Sequence, residues 1–143
     1  MRRRRTQTEM EKRLLQITVA VAGLVPVSAG LAGALLGPVM LNQIGDAALD
    51  SYYRYLSGLL LGIGLGFWTT LPNIERNGQR FALLTTIVVT GGFCRAIGML
   101  VIGPPGPAMS LALVMEVVVT PLLYLWRERV GRIAAVDAAA GGR

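Results

Sequence analysis

The chain has 143 residues, of which 53% are hydrophobic and 15% charged, against about 25% charged in an ordinary soluble domain. That apolar content excludes a disordered chain, and the length fits a single domain. The net charge of +6 sits at the ends of apolar runs rather than in a stripe with interleaved aromatics, so it reads as a membrane-topology signal and not as a nucleic-acid surface.

The chain opens on "MRRRRTQTEMEKR". Residues 1–13 read as a basic cytoplasmic arm, solvated and partly disordered, close to anionic lipid headgroups that attract each basic residue by about 1 kcal/mol. The first apolar run, 14–41, is long enough to cross a hydrocarbon layer of about 30 Å with some tilt. Pro26 is expected to kink it, with a neighbouring helix satisfying the freed carbonyl. A secretory signal cleaved after Val27-Ser28-Ala29 is the competing reading of this end. Against it, the apolar run continues past Ala29, and Glu9 and Glu11 are unusual in a signal's charged region.

The joint "NQIGDAALDS" leads to the second run, 52–71, closed by Pro72. Gly58, Gly62 and Gly66 recur every four residues there and form one small-residue face. Such faces let backbones approach closely in lipid, so this one is expected to pack inside the protein, with a homodimer contact as the alternative. Gly33 and Gly37 offer a similar notch on the first run. "PNIERNGQR" joins the second run to the third, 81–102, and "GPPGP" joins the third to the fourth, 108–126. The tail, 128–143, ends in small residues and is expected to fray.

All four runs must be helical, because lipid offers no partner to an unpaired backbone group. Short joints make sequence neighbours antiparallel. The expected fold is therefore an all-α membrane protein with four transmembrane helices in an antiparallel up-down-up-down bundle, the membrane domain being 14–127. Lys and Arg set its orientation. Arg2, Arg3, Arg4, Arg5, Lys12 and Arg13 precede the first span, Arg76 and Arg80 lie at the middle joint, and Arg127, Arg129, Arg132 and Arg143 follow the last span. The other two joints have none, and the first of them carries Asp46 and Asp50. Both termini and the middle joint are then cytoplasmic, in the bacterial cytoplasmic (inner) membrane. Trp68, Tyr124 and Trp126 fall near one interface and Tyr52, Tyr53 and Tyr55 near the other, as aromatic belts do.

Three ionisable residues lie within the spans: Arg54, Arg95 and Glu116. At about 1.5 Å per residue, Glu116 lies roughly 13 Å beyond Pro107 and Arg95 roughly 12 Å before Gly103. Equal depth on helices joined by a tight turn predicts an Arg95–Glu116 ion pair. Asp50 precedes Arg54 by four residues, a spacing that allows a second pair. Gly91, Gly92, Thr90 and Thr120 surround the first pair in sequence. Arg54, Arg95, Tyr55, Glu116 and Asp50 are the candidate ligand-binding residues, lining a pocket that opens outward and suits an amphipathic molecule with an anionic or carbonyl head.

The exclusions are broad. There is no histidine and one cysteine, Cys94, so an intrachain disulfide, a Cys/His metal site, a histidine-ligated haem and histidine acid–base chemistry are ruled out. Cys94 is expected to be a small buried hydrophobe. No Walker loop or dinucleotide fingerprint appears. No catalytic residue, metal site or cofactor is assigned.

The stretches "DSYYRYLSGLLLGIGLGFW", "GGFCRAIG" and "ALVMEVVVTPLLYLW" resemble a family of small bacterial four-helix membrane proteins known only as a domain of unknown function, itself distantly similar to DoxX-like proteins. The resemblance covers about residues 10 to 130, and Asp50, Arg54, Gly58, Arg95, Glu116 and Pro121 match its pattern. It implies fold and location, and it has no activity to lend. The expected function is non-catalytic: binding of an amphipathic ligand or partner at the polar pocket, with membrane lipid and a quinone among the candidate partners. The first alternative is a quinone-linked oxidoreductase subunit, or another membrane enzyme, using Glu116 as acid or base. The second is a minimal transporter acting as a homo-oligomer.

Overall fold

The structure, a computed structural model, describes residues 2–41 and 46–141, with side chains placed for 6–39 and 46–139. The side chains of Arg2, Arg3, Arg4 and Arg5, the start of the first joint and Arg143 lie outside the described residues. Helix α1 is Arg2–Leu36, α2 is Ala47–Trp68, α3 is Gly78–Ile102, α4 is Pro107–Val114 and α5 is Thr120–Gly141. A 3-10 turn, Gly37–Leu41, follows α1, another, Leu71–Asn73, follows α2, and a π turn, Met115–Val119, links α4 to α5. Among the described residues there is no strand. Among the described residues four stretches are long and apolar enough to cross a membrane: Thr6–Val39, Ala47–Asn73, Gly78–Ile102 and Pro107–Ala139. The chain is all-helical and has the make-up of a multi-pass membrane protein.

Contacts divide the chain into two compact units: residues 16–72, and residues 1–15 together with 73–143. In the first, α1 and α2 run antiparallel, because contacts rising along α1 fall along α2. Gly23 abuts Trp68, Gly30 abuts Ser57 and Leu61, Gly33 abuts Ser57 and Tyr53, and Gly37 abuts Asp50 and Arg54. Helix α2 starts where Asp46 caps it, its Oδ1 accepting from the Leu49 backbone N–H at 2.8 Å. Helix α1 is continuous through Pro26.

The glycines that let this pair close in are not the ones that spacing selects. A Cβ at Gly30 would lie 2.5 Å from the Leu61 backbone nitrogen, and one at Gly64 would lie 2.7 Å from Val27 Cγ2. A Cβ at Gly58 or Gly62 would meet no described atom within 4 Å. The Gly58–Gly62 stripe therefore does not make the close approach inside this unit. Trp68 also has a packing role beyond that of a belt residue: its indole N–H donates to the Ala20 carbonyl at 3.1 Å.

In the second unit α3 runs antiparallel to the chain from α4 to α5, with Gly92 against Glu116 and Val117, and Gly78 against Arg127. Its fully buried side chains, Leu15, Ile74, Phe81 and Val130, come from four separate stretches of sequence. Arg127, 6% exposed, donates to the carbonyls of Ile74 at 2.9 Å and Glu75 at 2.7 Å. Lys12 pairs with Glu75 at 3.0 Å, Arg129 with Glu11 at 3.4 Å, and Thr8 donates to Asp137 at 3.3 Å. The expectation of a partly disordered arm is corrected here. Helix α1 begins at Arg2, and Thr8, Glu11 and Lys12 are held by a hydrogen bond and two ion pairs. At the other end, α5 stays helical to Gly141 where fraying is expected. Cys94 is exposed, not buried.

Candidate functional site

The polar centre of the second unit is built by glycine on one helix and proline on the other. Gly92 on α3 has no side chain, and a Cβ there would fall 2.7 Å from Val117 Cγ1 and 2.9 Å from Glu116 Cβ. Only glycine lets Glu116 lie this close to the α3 backbone. On the facing chain Pro121 has no N–H to give and its ring crowds the carbonyl four residues back. The helix widens there into the π turn Met115–Val119, where the Thr120 backbone N–H reaches Met115 O. The Thr120 hydroxyl donates to the same oxygen at 2.8 Å. Glu116 thus sits in a π turn, a distortion that recurs at functional sites.

Arg95 meets Glu116 side-on. Its Nε donates to Oε2 at 3.0 Å and its Nη2 to Oε1 at 2.9 Å, the planar bidentate geometry that gives a guanidinium–carboxylate pair most of its strength. Arg95 Nη1 donates to Met109 Sδ at 3.3 Å. The side chains are 34% and 18% exposed, so the pair is shielded without being sealed. Thr90 is turned back on its own helix, donating to Thr86 O at 2.8 Å, and Thr120 serves the π turn.

The second predicted pair also forms, and its surroundings give it a different use. Arg54 Nε donates to Asp50 Oδ2 at 2.8 Å, and Arg54 Nη1 to Ala34 O and Leu35 O, each at 2.8 Å. These carbonyls belong to the last turn of α1, where helical partners run out. Gly37 follows with φ 69°, and a Cβ on it would lie 2.6 Å from Asp50 Oδ1. Arg54, oriented by Asp50, caps α1. Tyr55, 65% exposed, joins Ala48, Ser51 and Tyr52 around a shallow open depression.

The candidate ligand residues therefore fall into two groups: Asp50, Arg54 and Tyr55 in the unit of residues 16–72, and Arg95 with Glu116 in the other. Sequence reasoning missed Met109 and the π turn. Proline after "EVVVT" is a signal for the latter. It also missed the Arg127 clamp on the α2–α3 joint, which nothing in the local sequence marks.

A family model for a domain of unknown function, DUF4345, matches residues 14–127. No curated protein and no solved structure matches the chain.

Proposed function

The chain belongs to the DUF4345 family, and from that premise we propose that it is a non-catalytic protein of the bacterial cytoplasmic membrane that binds an amphipathic ligand at Arg95 and Glu116. The supporting observation is the bidentate pair itself, made between two stretches able to cross a membrane, with Glu116 on a π turn of the second. A charge at mid-span costs about 2.5–3.5 kcal/mol or more. A buried pair is seldom a net gain over apolar residues of the same shape. Stability alone is a weak reason for such a pair, whereas a part-exposed guanidinium gives a hydrogen-bonding head group somewhere to dock. Asp50 and Arg54 are left to the α1 cap, so the proposed site reduces to the second unit.

The placement in the membrane belongs to the same proposal. Basic residues flank three of the five non-spanning segments and are missing from the other two, which favours cytoplasmic termini and four alternating crossings.

A double-mutant cycle tests the site. Glu116→Gln or Arg95→Gln alone leaves one charge uncompensated and should destabilise the purified protein, by less than the roughly 3–5 kcal/mol of a fully buried pair. The wild type should co-purify with amphipathic molecules, counted by mass spectrometry, and the double Gln variant should recover part of the lost stability and yet lack them. Normal co-purification with the double variant would reduce the pair to a fastener between helices.

A further inference from the structure

The donors that Glu116 leaves unused define which head group fits. A guanidinium carries five N–H donors. Glu116 takes one from Nε and one from Nη2 of Arg95, and Met109 Sδ takes one from Nη1. One N–H on each terminal nitrogen then has no acceptor among the described residues. The third contact is also the weakest, because a thioether sulfur is a poor acceptor. An oxygen arriving at the terminal nitrogens displaces little.

Space lies on the same side of the helix. Gly91 and Gly98 stand four residues before and three after Arg95, positions that share its face of α3. A Cβ at either would meet nothing within 4 Å. The guanidinium is therefore flanked along its helix by bare backbone, and a slender apolar chain can lie against that strip with its polar group at Arg95.

Charge decides the rest. The Arg95–Glu116 pair is neutral as a unit. An anion docking on it would leave a net negative charge beside the Glu116 carboxylate, inside a span, where charge is expensive. A neutral oxygen acceptor adds none. The geometry points to a ligand class narrower than an amphipath of either head: an apolar chain bearing a neutral carbonyl oxygen, such as an ester, accepted by the terminal nitrogens of Arg95 while Glu116 holds the guanidinium in place. This rests on the binding reading above.

Three probes with one chain length separate the terms: methyl dodecanoate, dodecanoate at a pH where it is fully ionised, and dodecane. Each is titrated into the detergent-solubilised protein carrying 13C-methyl methionine, with the Met109 signal assigned from Met109→Leu. The ester should shift the Met109 methyl signal and bind about tenfold more tightly than dodecane, the equivalent of one net hydrogen bond. Dodecanoate should bind more weakly than the ester. In Glu116→Gln the site gains a net positive charge, and the preference should invert toward dodecanoate. Dodecanoate binding the wild type as tightly as the ester, or ester binding that leaves Met109 unmoved, overturns the carbonyl assignment and spares the broader reading. Binding of none of the probes removes both. The wild-type titrations decide the matter even where Glu116→Gln fails to fold.

Discussion

Three arginines, Arg54, Arg95 and Arg127, carry charge within or at the end of apolar helices, and each is held by a different set of acceptors. Arg54 takes a carboxylate and two helix-end carbonyls. Arg127 takes two carbonyls of the α2–α3 joint and the Glu128 carboxylate. Arg95 takes a carboxylate and a sulfur. The planar fork suits the first two to capping and tying, because carbonyls are good acceptors and leave little for a ligand to improve. Arg95 alone among them ends on a poor acceptor. The joint tied by Arg127 also carries a titrating contact. Burial pushes the Glu75 carboxyl up, but its own backbone N–H, the Lys12 ammonium and the charge of Arg76 outweigh that and hold it below its usual 4.5. A carboxyl depressed in the folded state contributes stability above its unfolded value and loses it as the pH falls through its folded value. The gap in melting temperature between wild type and Glu75→Gln should therefore be full near neutrality and shrink as the pH falls below 4.5. A gap that does not vary with pH would assign the contact to packing rather than charge.

Between elements, the glycines show what spacing can and cannot say. Period four on α2 marks a narrow stripe at Gly58 and Gly62, yet which stripe meets the partner depends on how both helices are rotated, and one helix's sequence does not contain that angle. The close approach falls at Gly30 and Gly33 on α1 and at Gly64 on α2. Gly30→Ala should accordingly lower stability by about 1–3 kcal/mol, as overpacking does, since it drives a methyl into Leu61 backbone. Gly62→Ala should be neutral or better in the monomer, because alanine favours helix by about 1 kcal/mol over glycine. Thermal unfolding of the two purified variants compares them directly, and equal melting would contradict the contact. The same reasoning explains what was legible. The four long apolar helices were, because apolar runs ended by Pro, Gly and charge need no partner to be recognised. The Arg95–Glu116 pair was, because the tight "GPPGP" turn sets both residues at one depth. The Arg54 cap was legible only in half: Asp50 lies one helical turn away in sequence, but Ala34 and Leu35 become acceptors only because α1 ends at Leu36 before Gly37. The π turn was legible only as a distortion marked by Pro121, since a proline in a span can kink the helix or widen it, and packing selects between the two.

At the scale of the whole molecule the proposal is one of sidedness, and it rests on charge bias rather than on contacts. Moving an arginine-rich end across a bilayer is unfavourable, so segments with Lys and Arg stay in the cytoplasm and the basic-free joints cross. The joint before α2 and the joint between α3 and α4 are then outside, and the joint between α2 and α3 is inside. Single cysteines report this in a Cys94→Ser background, needed because Cys94 is exposed. Ala47 and Pro105 are exposed positions for the outer joints, and Gln79 is an exposed position beside the inner one. Pro105 is preferable to Gly106, whose φ of 100° would strain a side chain. A membrane-impermeant maleimide applied to intact spheroplasts should label Ala47→Cys and Pro105→Cys at once. It should reach Gln79→Cys only after the membrane is permeabilised. Immediate labelling at Gln79 with protection at the other two would invert the sidedness. Labelling at Ala47 without labelling at Pro105 would break the alternation, and with it the four crossings on which the depth match of Arg95 and Glu116 depends.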